Sequence, residues 1–403
     1  MATDSEKDLQ EAINLIHLYG TSYRASKASG IPETTLRNRN DNGRKKGLKP
    51  SVEPTETEVA QLRRQVRDLK TDLRNIEVEQ VDAVTIKKTI LKLTNLSPSP
   101  PDWLIAPPKK NTLPGVPTLF FSDWHFSEIV VPEQVGGADN AYNIKICKKR
   151  ARTTVSSAVD LLFNHVVNPK YPGIVLALGG DMFSGDDLHE EITETNETPI
   201  LMAVVQMLDV MIWCLDALLD KFNNIFLPCV VGNHGRKTRK PRNKYRVFTN
   251  FDWMLYRLLE RHYDKDKRVT FYISDSSDTL YRIYDHRFLL THGDQFFGGD
   301  GVIGPLGPII RGDYRKRARN NQIDMEYDTM IMGHWHQLIQ MSKIIVNGSL
   351  KGYDEYAYQK NLPFEKPQQA LFLTTEKGIT ISMPVFAEHS NEKSSKEWVG
   401  VRK

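Results

Sequence analysis

Five short apolar runs in the second half of the chain each end in residues that offer oxygen or nitrogen. Thr118-Leu119-Phe120-Phe121 leads into Ser122-Asp123-Trp124-His125, and Ile174-Val175-Leu176-Ala177-Leu178 into Gly179-Gly180-Asp181. Leu227-Pro228-Cys229-Val230-Val231 leads into Gly232-Asn233-His234, Phe288-Leu289-Leu290-Thr291 into His292-Gly293, and Met330-Ile331-Met332 into Gly333-His334-Trp335-His336. Apolar runs this short, bounded by glycine, read as buried strands. Longer segments between them carry a helical period. Residues 144–167 place Val155, Ala158, Val159, Leu162, Phe163 and Val166 on one face. Residues 201–222 place Leu201, Val204, Val205, Leu208, Ile212, Leu215 and Leu219 on another, with Met202, Met207 and Met211 read as core. Strands alternating with helices predict an α/β fold, with chemistry at the C-terminal strand ends. Gly333 is expected to supply a tight turn there, and Ser184 to Thr198, with His189, a solvated loop.

The first 96 residues have a different pattern. Leu9, Ile13 and Ile16 mark one helix, Ser22 to Ala28 a second with small Ala25 and Ser26, and Pro32 opens a third at its first position. Ile31 and Leu36 are the expected core. Gly30 makes the turn, so the module (1–48) resembles a helix-turn-helix whose last helix enters the DNA major groove through Arg37 and Arg39. Eight basic residues between Gly20 and Lys49, against Glu33 and Asp41, favour phosphate contact; the alternative is a three-helix protein-interaction module. Residues 49–96 form an amphipathic or coiled-coil helix. Val59, Leu62, Val66, Leu69, Leu73 and Ile76 are spaced 3,4,3,4,3, which suits either a homodimer seam or a helix packed on its own chain. Residues 97–117, rich in proline, read as a stiff linker, 118–386 as the catalytic domain, and 387–403 as a polar tail.

Composition narrows this only a little. The net charge of +4 names no partner. Cys147, Cys214 and Cys229 have no metal spacing, which fits a reduced, cytoplasmic setting. No signal peptide precedes the first helix. The longest apolar stretch, 199–222, is interrupted by Asp209, Asp216 and Asp220, so a helix off the membrane is expected.

The blocks Asp-x-His, Gly-Asp, Gly-Asn-His, His-Gly and Gly-His-x-His, in that order, resemble the calcineurin-like metallophosphoesterases, in particular their DNA-repair exonuclease branch. Asn347-Gly348-Ser349 resembles a strand end that the family often carries. The resemblance covers 118–386 and implies a β-sandwich of two mixed sheets flanked by helices, here preceded by the small all-α module and long helix. It implies two divalent ions, the first on Asp123, His125, Asp181 and His336, the second on Asp181, Asn233, His292 and His334, with Asp181 bridging. Mixed nitrogen and oxygen ligands favour Mn, with Fe, Zn or Ni as alternatives. Such a pair clamps a phosphodiester and activates water to hydroxide. His234 is implied as a phosphate contact that helps protonate the leaving oxygen. The family places an acid after Gly-Asn-His; this chain has Gly235-Arg236, and Asp294 or Glu190 is expected to take that part.

Arg236 to Arg246 holds seven basic residues and no acid. Arg236, Lys237, Arg239, Lys240 and Arg242 are read as nucleic-acid contacts, and Arg311, Arg315, Lys316, Arg317 and Arg319, after a Gly298–Gly312 loop, as a second grip. The leading function is a metal-dependent nuclease, DNA favoured, with no membrane partner. The alternatives are a phosphoprotein or small-molecule phosphatase, and a DNA-binding scaffold with a vestigial site.

Overall fold

The computed structural model describes residues 4–51, 100–105, 115–167, 169–185, 190–298 and 304–388. The chain divides into two compact units, Met1–Ser97 and Pro98–Lys403.

The first unit contains α1 (Glu6–Tyr19), α2 (Ser22–Ser29) and α3 (Glu33–Lys45). Ser5 and Asp8 close a reciprocal cap on α1, and left-handed Gly20 ends it. Ala12, Ala25 and Leu36 make the core, with Leu15, Ile16 and Ile31 packed against it. Gly43 lets α3 lie close on α1: a Cβ there would stand 2.7 Å from Ile13 Cδ1. Two expectations shift. Pro32 is the N-cap of α3 rather than its first residue, and α3 continues past Arg39 to Lys45. The heptad from Val59 to Ile76 lies outside the described residues.

The second unit holds two mixed sheets. Strands β1 (Val116–Phe121), β2 (Ile174–Leu178), β3 (Ile225–Cys229) and β4 (Val269–Ile273) run parallel, extended on the β1 side by antiparallel β10 (Gln368–Thr375) and β11 (Gly378–Phe386), in the order β11-β10-β1-β2-β3-β4. The second sheet has the order β5-β6-β7-β9-β8, from β5 (Asp278–Ile283), β6 (His286–Thr291), β7 (Thr329–Met332), β8 (Ile339–Gln340) and β9 (Ile344–Val346), with β6, β7 and β9 parallel. Phe120, Val175, Ala177, Phe226 and Phe372 from one sheet meet Tyr281, Ile283, Phe288, Leu290 and Ile331 from the other in one buried cluster. Rings such as Phe288 stabilise it by about 1.5–3 kcal/mol each. Helices α5 (Ile144–Asn164), α7 (Ile200–Leu219) and α8 (Phe251–His262) pack together beside the sheets. The expected fold class, two mixed sheets flanked by helices, is the observed one.

Several local readings are corrected. The stretch read as linker is partly packed: α4 (Asp102–Ile105) buries Leu104 in the core, and Leu104 O accepts from Tyr284 N. The loop after Asp181 contains a short helix, α6 (Glu190–Thr195), while His189 lies outside the described residues. On α7, Val204, Leu215, Met207 and Met211 are buried, but Leu201, Met202 and Val205 are 65%, 58% and 64% exposed. That helix is apolar almost all round, so its period could not choose a face; by length and composition it could cross a membrane, and here it packs on α5 and α8. The Gly298–Gly312 segment is not a loop to its end, because α9 (Leu306–Asn321) takes up its second half. Gly312 within α9 leaves room for the Phe296 ring, 2.4 Å from where a Cβ would be.

Candidate metal centre

The parallel strands β1, β2, β6 and β7 end at one edge and release loops there. Asp123, His125, Asp181, His334 and His336 all have positive φ, between 48° and 72°. Side chains other than glycine rarely adopt this conformation, and each instance costs on the order of 1–3 kcal/mol. Hydrogen bonds lock the strain in place. Asp123 N donates to Gly180 O (3.1 Å), Trp124 N and His125 N both donate to Asp181 O, and Gly333 N donates to His292 O (3.0 Å). Glycines serve close approach more than turning. Gly333, expected to supply a tight turn, has no positive φ; a Cβ there would stand 2.3 Å from Asp123 Oδ2. A Cβ on Gly232 would stand 2.1 Å from Asp181 Oδ1. After β9, Asn347 ties the loops together, donating to Phe120 O (3.1 Å) and Ser122 Oγ (2.9 Å) and accepting from Ala370 N (2.8 Å).

Two groups of side chains result: Asp123 with His125 and His336, and Asp181 with His292 and His334, the ligand atoms of each group within 4.8 Å of one another. Asn233 joins the second group, its Oδ1 3.1 Å from His292 Nε2. Asp123, His125, Asp181 and His292 are buried, while Asn233, His234, His334 and His336 are half-buried at the rim.

These residues fit a pair of cations. His292 Nδ1 faces Gly179 O at 2.8 Å and carries a proton there, which leaves Nε2 as the atom turned toward Asp181 and Asn233. Asp181 Oδ2 is buried without a hydrogen bond although His292 Nε2 lies 2.9 Å away. His125 Nε2 and His336 Nε2 stand 3.0 Å apart, with Asp123 Oδ1 3.5 Å from the latter. Packed this closely, the acids and imidazoles shift one another. Burial pushes Asp123 up to about 7, and Asp181 adds to it. Burial lowers His292, but the charges of the acids beside it, Asp181 first, outweigh this and raise it to about 10. Burial, then the charge of His292, brings His334 down to about 4.

His234 sits between the groups. Its backbone N donates to Asp181 Oδ1 at 2.6 Å, and its ring meets His125 edge-on at 4.6 Å. Burial lowers its pKa, against the opposing charges of Asp181 and Glu128. A neutral ring follows near pH 7, suited to donating a hydrogen bond.

Of the acids expected to stand in after His234, Asp294 pairs with Arg246 at 2.7 Å, and the side chain of Glu190 lies outside those described. Beside Gly235 stands Asp252, near the start of α8, which sequence reading missed. It is fully buried and accepts from Asp181 N (3.0 Å), Met182 N (3.1 Å) and Gly232 N (2.9 Å). Its neighbour Asn250 caps α8 and donates to Gly232 O (2.8 Å). Glu128, Ser184, Lys351 and Asp354 were missed as well. All are polar residues at ordinary loop positions, and no spacing set them apart.

The basic loop divides by role. Arg236 is not a free contact: it donates to Asn233 O (2.7 Å), Thr238 O (2.9 Å) and Arg239 O (3.3 Å). With Arg246 on Asp294 it fastens both ends of the loop beside the second group, while Lys237, Arg239, Lys240, Arg242 and Lys244 are exposed. The second basic cluster is largely structural. Lys316 is buried on Asp278 (2.6 Å) and Gln295 (2.7 Å), Arg319 also holds Asp278, and Arg317 holds Asp313 and Tyr327 O. Arg311 and Arg315 are exposed. In the N-terminal unit Arg39 pairs with Asp4 (2.9 Å) and lies near Asp8, and Arg37 with Glu33 (3.2 Å). Arg39 is thereby committed to the start of α1, whereas Arg37 remains largely exposed.

No family model matches the chain, and no curated protein matches it. Among solved structures it is similar to a Vps29 single mutant from Entamoeba histolytica, at 13% identity over 67% of this chain and 99% of that one, with a TM-score of 0.25. It is similar to an uncharacterised protein described as a predicted phosphoesterase from Streptococcus pneumoniae, at 11% identity over 68% and 98% of the two chains, TM-score 0.25. A third is vacuolar protein sorting 29 from Cryptosporidium parvum, at 15% identity over 64% and 84%, TM-score 0.25.

Proposed function

We propose that the chain is a metal-dependent phosphoesterase that hydrolyses phosphodiester bonds of nucleic acid and holds two divalent transition-metal ions. The observation that carries this is the pairing, at the C-terminal ends of strands from both sheets, of Asp123, His125 and His336 with Asp181, His292 and His334. Asn233 completes the second set, and Asp181, through its orphaned Oδ2, is the bridging candidate. The mixed imidazole and carboxylate donors suit Mn, Fe, Zn or Ni, with Mn first. When bound, such ions supply Lewis-acid polarisation of the phosphate and of an attacking water. The chain's own residues do the rest. His234, at the rim, donates a hydrogen bond to a phosphate or leaving-group oxygen. Arg236 fixes the Asn233 carbonyl and so the loop that carries both. Nucleic acid is favoured as substrate because five exposed basic side chains stand on a loop whose two ends are pinned beside the site, where a polyanion neutralises them. The N-terminal unit, with Arg24, Lys27, Arg37, Arg44, Lys45, Lys46 and Lys49 exposed, serves in this reading as a DNA tether.

The test is hydrolysis of a chromogenic phosphodiester, the corresponding monoester and a long polynucleotide by the purified chain with and without Mn. Diester and polynucleotide cleavage that depends on metal is expected, with Asp181→Asn losing more than any other single ligand change. At most one tightly bound ion per chain would sink the two-metal reading. Preference for the monoester with no polynucleotide cleavage would replace the nuclease by a phosphatase.

A further inference from the structure

Behind the first ligand group lies a buried set of charges centred on Lys351. Lys351, 3% exposed, places Nζ 2.6 Å from Glu128 Oε1 and 2.5 Å from Asp354 Oδ2. Glu128 Oε2 accepts from Ser184 Oγ at 2.5 Å, and His125 Nδ1 lies 3.3 Å from that same Ser184 Oγ and 3.4 Å from Glu128 Oε2. The lysine is held from both sides. Arg150, 1% exposed, donates to Leu350 O (3.0 Å) and Lys351 O (2.6 Å), and Ser349 Oγ accepts from Lys351 N (3.1 Å) while donating to Asp123 O (2.8 Å).

The proton count follows. A hydroxyl has one proton. Ser184 spends its proton on Glu128, so toward His125 it only accepts. Glu128 takes a hydrogen bond on each oxygen, Oε1 from Lys351 Nζ and Oε2 from Ser184 Oγ, so toward His125 it only accepts too. His125 Nδ1 is therefore the protonated nitrogen, and its Nε2 lone pair is aimed at the point shared with His336 Nε2, 3.0 Å away. In the second group the same task falls to a backbone carbonyl, Gly179 O, against His292 Nδ1.

We propose that Glu128, clamped by Lys351 and Ser184, is a positioning residue that selects the His125 tautomer, so that the Asp123–His125–His336 position depends on a buried side-chain charge network through His125. This rests on the two-metal reading above. Outer partners of ligating histidines typically contribute 10–100-fold in metal affinity.

The experiment is equilibrium dialysis of the full chain against Mn, for wild type, Glu128→Gln and Ser184→Ala, with the melting of the metal-free proteins recorded alongside. Wild type is expected to hold two ions. Each variant is expected to melt as a folded protein and keep one ion at wild-type affinity, the other weakened about 10–100-fold. Adding His336→Ala to Glu128→Gln should change the count no further, while adding His292→Ala should remove the remaining ion. Nitrogen chemical shifts of the metal-free His125 ring should show Nδ1 protonated in wild type and a mixture of tautomers in Glu128→Gln, which a merely structural role would not produce. Should Glu128→Gln fail to fold, Ser184→Ala, which removes one hydroxyl, decides alone. Two ions at unchanged affinity in the variants, or equal weakening of both, overturns the inference and leaves the two-metal reading standing. Fewer than two ions in wild type overturns both.

Discussion

Gly235 and Asp252 compete for one volume: a Cβ on Gly235 would stand 2.8 Å from Asp252 Oδ1 and 2.5 Å from Asn250 Oδ1. The position directly after His234 is empty because α8 fills it from another part of the chain. The carboxylate there clamps Asp181 N, Met182 N and Gly232 N, binding two ligand-bearing loops together. Asp252→Ala orphans three buried donors, at about 1–3 kcal/mol for each such group. A large drop in melting temperature is expected, with loss of metal from the second group. Gly235→Asp alone should also destabilise, by collision. The double variant should recover part of the loss, and a double variant worse than the sum of the two singles would refute the shared-volume account.

His234 touches Asp181 through its backbone and His125 through its ring edge, and belongs to neither ligand group. His234→Ala should lower kcat on the chromogenic diester by about 10²-fold or more, as loss of a hydrogen-bond donor to developing negative charge does. Metal analysis of the same variant should still give two ions. A missing ion would make His234 a ligand instead.

The basic loop gives two separable outcomes. Arg239, Lys240 and Arg242 are exposed, so charge reversal at all three should cripple polynucleotide cleavage and spare the small diester. The log–log salt dependence of binding should flatten by about 0.9 per lost contact on duplex and about 0.7 on single strands. Arg236→Ala should behave differently and impair both substrates, because Arg236 holds the carbonyl of Asn233. A loop triple variant with unchanged salt slope on DNA and RNA would end the grip reading.

Acid should loosen the loop that carries Lys351. Burial alone would raise Asp354, but Lys351 outweighs it and holds the carboxyl at about 2, below its ordinary 3.8. A depressed carboxylate stabilises the fold fully above its unfolded pKa, and that contribution disappears as pH falls through the folded one. The gap corresponds to about 2 kcal/mol, lost between about pH 4 and 2. Lys351→Met should remove this part of the acid transition, which pH-dependent denaturation of the metal-free chain would reveal by a flatter profile in that window.

The sequence by itself determined five of the strands and the candidate ligand residues that follow them. An apolar run ending in glycine and a donor residue is a local pattern, and Asp123, His125, Asp181, Asn233, His292, His334 and His336 each stand at such an end. The small helical unit was legible for the same reason: caps, glycine stops and a 3.6-residue period are written within a few positions of one another. Tertiary structure alone decided which polar residues stand behind the ligands. Asp252 lies 71 residues from the Asp181 amide it holds, and Lys351 lies 223 residues from Glu128. No period or short spacing can announce such pairs, because they arise only when loops from different strands fold over the same edge. It also decided the fate of the charges. Arg39, Arg236, Lys316, Arg317 and Arg319 look in sequence like their exposed neighbours, yet each is spent on a carbonyl or carboxylate that folding brings to it. A buried donor or acceptor must find a partner within the fold, and that requirement, invisible along the chain, sorted the basic residues into those that hold the protein together and those left facing solvent.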